Sequence, residues 1–103
     1  MASKREVIWA PSAIRELDNI LDYLENNWSK TVSENFFNTL DHSVELIKLN
    51  PYQFPALSKE KRFYKCVVTK HNSIFYSVPN ETLIRILHVF DTRQDPRKLP
   101  LNQ

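Results

Sequence analysis

The chain of 103 residues contains no glycine, a single cysteine and no long apolar run. Without glycine, it cannot form the glycine-rich loops of phosphate- or dinucleotide-binding enzymes. Cys66 alone cannot form an internal disulfide, which suits a reducing compartment. Its apolar runs are too short to span a bilayer, and residues 1–6 lack the apolar core of a signal peptide. We therefore expect a cytoplasmic protein that makes no contact with a membrane.

The length and composition predict one globular domain over residues 1–103. Twelve aromatic residues argue against disorder. Three scattered histidines and one cysteine have no metal-ligand spacing, so neither a metal nor another cofactor is expected. Residues 1–50 hold five basic and eight acidic residues, a net charge of −3, and residues 51–103 hold nine and four, a net charge of +5. This asymmetry indicates either an anionic partner for the second half or an ordinary solvated surface.

Two amphipathic helices are predicted in the first half of the chain. After a β-prone segment at residues 5–10, apolar side chains recur at helical spacing from Ser12, which we expect to cap the first helix. This helix ends near Asn26–Asn27. Ser29 is placed to cap a second helix, which ends before Pro51. The short connection between them predicts an antiparallel helical hairpin.

Three β-like segments follow the helices. They cover Phe63–Thr69, Ile74–Val78 and Leu83–Phe90, and residues 51–61 are expected to form a loop. Short turns between the segments predict an antiparallel meander. The element order β-α-α-β-β-β predicts an α+β fold, with the helical hairpin packed on one face of an antiparallel-rich, four-stranded sheet.

Side-chain alternation divides these strands into two faces. The face expected to pack on the helices carries Tyr64, Cys66, Val68, Ile74, Tyr76, Val78, Ile84, Ile86, His88 and Phe90, and the helices contribute Leu17, Leu21, Phe36 and Leu40. The other face carries Lys65, Val67, Thr69, Phe75, Ser77, Arg85, Leu87 and Val89. Because two helices cover only one face, we expect the second to be exposed. Its apolar residues then imply a partner, or self-association into a homodimer.

Several local motifs accompany this element order. The first helix begins with Pro11-Ser12-Ala13, the middle strand of the meander contains Ile74-Phe75-Tyr76, and the last strand is followed by Asp-Thr-Arg-Gln-Asp-Pro at residues 91–96. In this combination the chain resembles the RelE/ParE superfamily, which comprises toxins of type II toxin–antitoxin modules and includes the plasmid-stabilisation family. The resemblance covers nearly the whole chain.

The resemblance implies one of two activities. RelE-like members cut mRNA in the ribosomal A site, and ParE-like members poison DNA gyrase. In both branches a small antitoxin wraps around the toxin and neutralises it. RelE-type cleavage needs no metal: a 2′-oxygen attacks the adjacent phosphate, cations stabilise the phosphorane charge, and an acid protonates the leaving oxygen.

The match to the RelE branch is partial. Lys65 and Arg93 correspond to basic residues of that branch, on the first meander strand and after the last strand. The second meander strand opens with Asn72-Ser73 where RelE-like ribonucleases often have Tyr-Arg, and no Tyr or His follows Arg93. These departures favour the ParE-like branch. If the chain does cleave RNA, the candidate catalytic residues are Lys65, Arg85, Arg93 and His88.

Residues of the second half are also the candidates for binding a target or an antitoxin. They are Arg62, Lys65, Phe75, Arg85, Leu87 and Arg93. Each basic residue has a structural alternative: an ion pair for Arg93, with Asp91 or Asp95, and a solvated surface for the others. Strand alternation places His88 on the face towards the helices, where we expect a hydrogen-bonded structural histidine. A one-residue bulge would turn its side chain to the other face.

Three functional hypotheses follow. In the first, the protein is a ParE-like toxin that arrests growth by binding a macromolecular target such as DNA gyrase, and a cognate antitoxin neutralises it. In the second, it is a RelE-like, metal-independent endoribonuclease that acts on mRNA in the ribosome. In the third, it is a non-toxic module that binds its antitoxin and represses transcription with it.

Overall fold

The structure is a computed structural model that describes residues 5–92. The predicted helices and strands are all present, with one additional strand. In chain order the elements are β1 (Glu6–Trp9), α1 (Pro11–Asn27), α2 (Lys30–Leu49), a 3₁₀ turn (Pro51–Gln53), β2 (Ala56–Ser58), β3 (Phe63–Thr69), β4 (Asn72–Asn80) and β5 (Leu83–Asp91). Arg93 and the rest of the tail lie outside the described residues.

The sheet has five strands in the order β1-β5-β4-β3-β2, rather than the predicted four. Strands β2 to β5 form an antiparallel meander, and β1 pairs with β5 in parallel. The unpredicted strand, β2, lies in the segment expected to be a loop. Its ladder consists of Ala56 opposite Tyr64 and Ser58 opposite Phe63, with an irregularity between them. A strand of three residues is too short for alternation to reveal.

The N-cap prediction is confirmed for α2 and is wrong for α1. Ser29 caps α2 as predicted, because its Oγ accepts the N–H of Val32 at 3.0 Å. The prediction for Ser12 is wrong: Ala10 is the N-cap of α1 and makes no side-chain cap bond. The hydroxyl of Ser12 instead donates to the carbonyl of Leu87 at 2.9 Å. The start of α1 is thereby attached to the edge of β5 just beyond the last residue that pairs with β1.

The hydrophobic core lies between the helical hairpin and the inner face of the sheet. Of the residues predicted there, the buried ones are Phe36, Leu40, Tyr64, Cys66, Ile74, Tyr76, Val78, Ile84 and Ile86. Leu17, Leu21 and Val68 pack against this core and are partly buried. At its centre, the hydroxyl of Tyr76 donates to the carbonyl of Pro51 at 2.5 Å. This bond fixes the chain that leaves α2 against the middle of the sheet.

A bulge interrupts the pairing of β5 with β4. Tyr76 pairs with Ile86, but the adjacent Phe75 pairs with His88, so Leu87 is an extra residue on β5. Because side chains alternate along a strand, one extra residue reverses the faces of every residue that follows.

The bulge overturns part of the predicted division into faces. Val89 is buried in the core against the helices, although strict alternation assigns it to the opposite face. Phe90 was expected in the core, but it pairs with Ser73 and its ring lies 6.4 Å from that of Phe75. His88 shares a cross-strand row with Phe75 and therefore lies on the side away from the core.

The expectation that Phe75 is exposed is also wrong. Its side chain is only 1% exposed. Its ring stacks on Phe63 with 6.2 Å between ring centroids, and it contacts Phe90 at a tilt. These three rings form a second, smaller aromatic cluster on the side of the sheet opposite the main core. Two of the four apolar residues predicted for the exposed face, Phe75 and Val89, are therefore buried, and Val67 and Leu87 are the other two.

Candidate functional site

The candidate site is the surface of the sheet that faces away from the helices, called here the outer face. The strand registers place its residues in three rows. The first row is Ile8, Arg85, Ser77 and Phe63; the second is His88, Phe75 and Lys65; the third is Phe90, Ser73 and Val67. The rows alternate with those that form the core, as the pleat of a sheet requires.

Two predicted cationic residues, Arg85 and Lys65, lie on the outer face. Arg85 is exposed in the first row, and Lys65 is half-buried in the second. Arginine can hold a carboxylate or phosphate through two parallel hydrogen bonds, and lysine acts as a point charge. The outer face can therefore bind an anionic group, as the basic second half of the sequence suggests.

Arg62 lies at the border of this face, in the turn between β2 and β3. Its backbone has φ of +53°, an uncommon conformation for a residue with a side chain. The N–H of Arg62 donates to the carbonyl of Lys59 at 3.2 Å, and its own carbonyl accepts the N–H of Val78 at 3.0 Å. The turn is thus held to β4 and presents the exposed side chains of Lys59, Lys61 and Arg62 together.

Phe75 occupies the centre of the second row. Lys65 lies on one neighbouring strand and His88 on the other. Neighbouring strands are about 4.8 Å apart, so the backbones of Lys65 and His88 are separated by roughly 10 Å. Between them stands an aromatic ring that can neither donate nor accept a proton in acid–base chemistry.

His88 is hydrogen-bonded, as predicted, but its position differs from the prediction. Its Nδ1 lies 3.1 Å from Oε2 of Glu16 on α1. The other carboxylate oxygen, Oε1, accepts the backbone N–H of Val89 at 3.0 Å. Glu16 thus reaches the edge of β5 beyond the end of β1 and binds two consecutive residues there. A carboxylate on Nδ1 orients the ring of His88.

Two candidate residues remain, Leu87 and Arg93. Leu87 is the bulged residue, half-buried, with its carbonyl bonded to Ser12. Arg93 lies outside the described residues, so its expected ion pair with Asp91 or Asp95 stays a prediction. Phe75 and Val89 are buried and contribute no exposed apolar surface. That surface comes instead from Ile8, which is 44% exposed, and from Val67, which is 62% exposed.

The sequence reasoning did not identify Glu16, and it considered the bulge only as an alternative to strict alternation. Glu16 was one of several acidic residues off the apolar stripe of α1, and no local pattern distinguishes it from its neighbours. The bulge did leave a signal: the consecutive apolar pairs Ile86-Leu87 and Val89-Phe90 break strict alternation on either side of His88. Such a break is typical of an extra residue in a strand.

The buried thiol of Cys66 is a poor nucleophile. Burial raises its pKa to about 11, against a smaller lowering by a hydrogen bond with Ser43. Burial also raises the pKa of Tyr76, with added contributions from Cys66 and Tyr64. Since the thiolate is the reactive form of cysteine, Cys66 is inert at neutral pH.

Residues 5–92 contain no cluster of metal ligands and no helix that could span a membrane. No group of three or more His, Cys, Asp or Glu side chains there could hold a metal ion. In the same part of the chain, neither helix is long and apolar enough to cross a membrane. The features that distinguish the site are therefore its cations, its aromatic centre and the Glu16–His88 pair.

Comparisons with known proteins identify the class. Residues 7–96 match the family described as "ParE toxin of type II toxin-antitoxin system, parDE". Because this match spans most of the chain, the protein belongs to the ParE toxin family, and it is the toxin component of a type II toxin–antitoxin system. No curated protein matches the chain in sequence.

Solved structures share the fold. A chain of the chromosomal ParDE toxin–antitoxin system from P. aeruginosa has a TM-score of 0.71 at 16% identity, covering 85% of this chain and 96% of that one. A chain of the E. coli DinJ–YafQ toxin–antitoxin complex has a TM-score of 0.61 at 12% identity, covering 88% and 96%. A Helicobacter pylori protein, HP0894, has a TM-score of 0.55 at 20% identity, covering 89% and 98%. The helical hairpin on a mixed sheet is thus a RelE/ParE-like fold.

Proposed function

We propose that this toxin acts by binding a macromolecular target rather than by catalysis, with DNA gyrase as the first target to test. The observation that carries the proposal is the position of Phe75. A buried aromatic ring separates Lys65 from His88 on the outer face, where a ribonuclease needs polar groups that converge on one phosphate. Cations and exposed apolar residues around an aromatic cluster suit binding to a protein surface.

The proposal includes a cognate antitoxin and a cytoplasmic location in a bacterium. Two of the structurally similar proteins come from toxin–antitoxin systems, which supports an antitoxin as the partner here. A single, unpaired cysteine is compatible with the reducing cytoplasm. A homodimer of the free toxin stays a prediction that light scattering can test.

One observation favours the second candidate function, cleavage of mRNA in the ribosome. The bulge at Leu87 places His88 in the same outer-face row as Lys65. Glu16 on Nδ1 holds the imidazole ring of His88 in one orientation, and a general acid must be positioned in this way. In this alternative, His88 protonates the leaving 5′-oxygen, and Lys65, Arg85 and Arg93 stabilise the phosphorane charge.

Controlled expression in bacteria distinguishes the two functions. We expect growth arrest, inhibition of purified gyrase, and no codon-positioned cuts when ribosome-bound mRNA is analysed by primer extension. Arg85→Glu should relieve the arrest, because it replaces an exposed cation of the outer face by an anion. Lys70→Glu makes the same charge change in the exposed β3–β4 turn and should leave the arrest intact. His88→Ala should have no effect on toxicity.

Two results would contradict the proposal. Codon-positioned mRNA cuts that disappear in His88→Ala would establish the ribonuclease and identify His88 as its acid. A folded protein that neither arrests growth nor inhibits gyrase, but binds an antitoxin encoded beside it, would be the non-toxic module of the third hypothesis.

A further inference from the structure

The sheet ends on one side at β1, and the outer edge of this strand has no neighbouring strand. The N–H groups of Glu6 and Ala10 both donate to carbonyls on the β5 side, at 2.9 Å. Because the backbone groups of a paired strand alternate in direction, Val7 and Trp9 direct theirs to the opposite side. Within residues 5–92, no hydrogen bond reaches these two N–H and two C=O groups. The free edge of β1 can therefore accept a further strand.

The other edges of the sheet carry features that discourage such pairing. β5 is covered beyond the end of β1 by the side chains of Ser12 and Glu16. On the opposite side of the sheet, β2 has three residues, follows Pro55 and pairs irregularly with β3. The end of β3 that β2 leaves uncovered contains a second irregularity. Prolines, bulges and covering groups protect natural sheet edges, and the four residues of β1 have none of them.

The side chains of β1 also leave apolar surface at this edge. Ile8 is 44% exposed and lies at the end of the first row of the outer face, beside Arg85. Val7 and Trp9 point to the other face, where they pack against the core and are partly buried. A neighbouring strand would cover Ile8 and the open flanks of Val7 and Trp9. It would also provide partners for the free backbone groups.

The edge of β1 is complementary to a second copy of itself. In an antiparallel arrangement about a two-fold axis at Ile8, Val7 of one copy faces Trp9 of the other, and each such pair exchanges two hydrogen bonds. The two Ile8 residues form the non-hydrogen-bonded pair between them, in which side chains approach most closely. An axis at Trp9 would place Val7 opposite Pro11, which has no N–H. An axis at Val7 would place Ile8 opposite the charged Glu6.

The charges along this edge permit the two-fold contact. Glu6 and Arg85 are the exposed charged residues beside Ile8 on the outer face. In the arrangement centred on Ile8, Glu6 of one copy lies opposite Ala10 of the other. The two Arg85 residues are separated by three strand spacings, or roughly 14 Å. This separation exceeds the Debye length of about 8 Å at physiological ionic strength, so the repulsion between them is largely screened.

We infer that the free toxin forms a two-fold dimer in which the β1 strands of two copies pair in antiparallel orientation about Ile8. The two five-stranded sheets join into one continuous sheet. The first row of the outer face then continues into Ile8 and Arg85 of the second copy, which adds residues to the candidate site. Four strand residues on each side form a contact smaller than the roughly 1,200 Å² of a stable interface, so we expect a dissociation constant in the micromolar range. This dimer would form whichever target the toxin binds.

Disulfide cross-linking tests the register of the two strands. In a non-hydrogen-bonded antiparallel pair the Cα atoms are about 4.5 Å apart, within the range of about 4.4–6.8 Å that a disulfide spans. Ile8→Cys should therefore form covalent dimers in a glutathione redox buffer, detected by non-reducing electrophoresis. Val67→Cys introduces a thiol at a more exposed position of the outer face and is the matched control, which should remain monomeric. Cys66 is buried in both variants and should not react.

Sedimentation velocity over a range of protein concentrations tests the dimer without an added thiol. Val7→Pro removes an N–H that points away from β5, so the sheet loses no hydrogen bond, whereas the dimer loses one from each copy. The dissociation constant should rise by roughly tenfold or more. Ile8→Glu places two carboxylates opposite each other and should abolish association. Val67→Glu makes the same kind of change away from β1 and should leave association intact. Circular dichroism verifies that every variant is folded.

Three outcomes would overturn the inference. The first is cross-linking of Ile8→Cys that is no faster than that of Val67→Cys. The second is association that Val7→Pro and Ile8→Glu leave unchanged, which would place the contact elsewhere on the molecule. The third is a free protein that stays monomeric at millimolar concentration and whose Val7 and Trp9 amides become protected from hydrogen exchange only when an antitoxin binds. An extended segment of the antitoxin would then be the occupant of the β1 edge.

Discussion

Glu16 and His88 are separated by 72 positions in the sequence, yet the carboxylate of one lies 3.1 Å from the ring nitrogen of the other. The same carboxylate accepts the N–H of Val89. Ser12, one turn earlier on α1, donates to the carbonyl of Leu87. Two side chains of the helix thus replace the hydrogen bonds that β1 no longer provides to the edge of β5. An edge covered in this way is closed to pairing with another strand.

Replacing Glu16 by alanine should destabilise the protein by roughly 1 kcal/mol, because the N–H of Val89 loses its acceptor at a partly exposed site. Glu16→Gln keeps an acceptor oxygen and should cost less. Urea unfolding followed by circular dichroism measures both. Asp18→Ala is the matched control, since this carboxylate is exposed and forms no salt bridge within residues 5–92; a loss as large as that of Glu16→Ala would show that helix charge alone explains the effect.

Replacing Phe75 by alanine should destabilise the fold by about 3–5 kcal/mol, the usual cost of removing a buried aromatic ring. Total stabilities of small domains are only about 5–15 kcal/mol, so the loss will be evident in thermal melting. Val67→Ala removes an exposed apolar side chain of the same face and should change stability by less than about 0.5 kcal/mol. If Phe75→Ala and Val67→Ala have the same melting temperature, the Phe75 ring is exposed to solvent and not buried.

Replacing Tyr76 by phenylalanine should cost about 1–2 kcal/mol, because the buried carbonyl of Pro51 loses its hydrogen-bond donor while the ring is kept. Chemical unfolding of Tyr76→Phe and of Tyr52→Phe provides the comparison. Tyr52 is 40% exposed, and its substitution should change stability by less than about 0.5 kcal/mol. Equal effects of the two substitutions would contradict a structural role for the Tyr76 hydroxyl.

Stability should fall in alkaline solution. Burial raises the pKa of Cys66 from 9.0 to about 11 and also raises that of Tyr76. The native state therefore holds these protons more tightly than the unfolded state, and the free energy of unfolding decreases as the pH rises from about 9 towards 11. Urea midpoints between pH 7 and 11 measure the slope.

Cys66→Ala removes one of the two groups and serves as the control for this pH dependence. At neutral pH the urea midpoint of Cys66→Ala should be lower than that of the wild type, because the substitution shortens a buried side chain. Between pH 9 and 11, however, the midpoint of the variant should decline less than that of the wild type. An identical decline in the wild type and in Cys66→Ala would exclude the thiol as a cause.

The sequence by itself determined the elements whose side-chain periods are long and regular. The bounds of α2 and β3 follow from apolar spacing, from Ser29 as a cap and from Asn50-Pro51 as a stop. The meander follows from short turns between alternating strands, and the order of elements with its local motifs led to the superfamily. These features depend on local backbone preferences and on one-sided burial, which are present within each segment.

Only the tertiary structure decided the details of the site. β2 is too short to have a period, and its pairing requires β3 beside it. Glu16 acquires its role because α1 crosses the open edge of β5, a relation that no local pattern encodes. The extra residue Leu87 reverses the faces beyond it, and this brings His88 and Phe90 out of the core and Val89 into it. Side-chain direction along a strand alternates with a period of two. One extra residue therefore reverses the face of every residue after it, and local sequence preferences do not reveal that reversal.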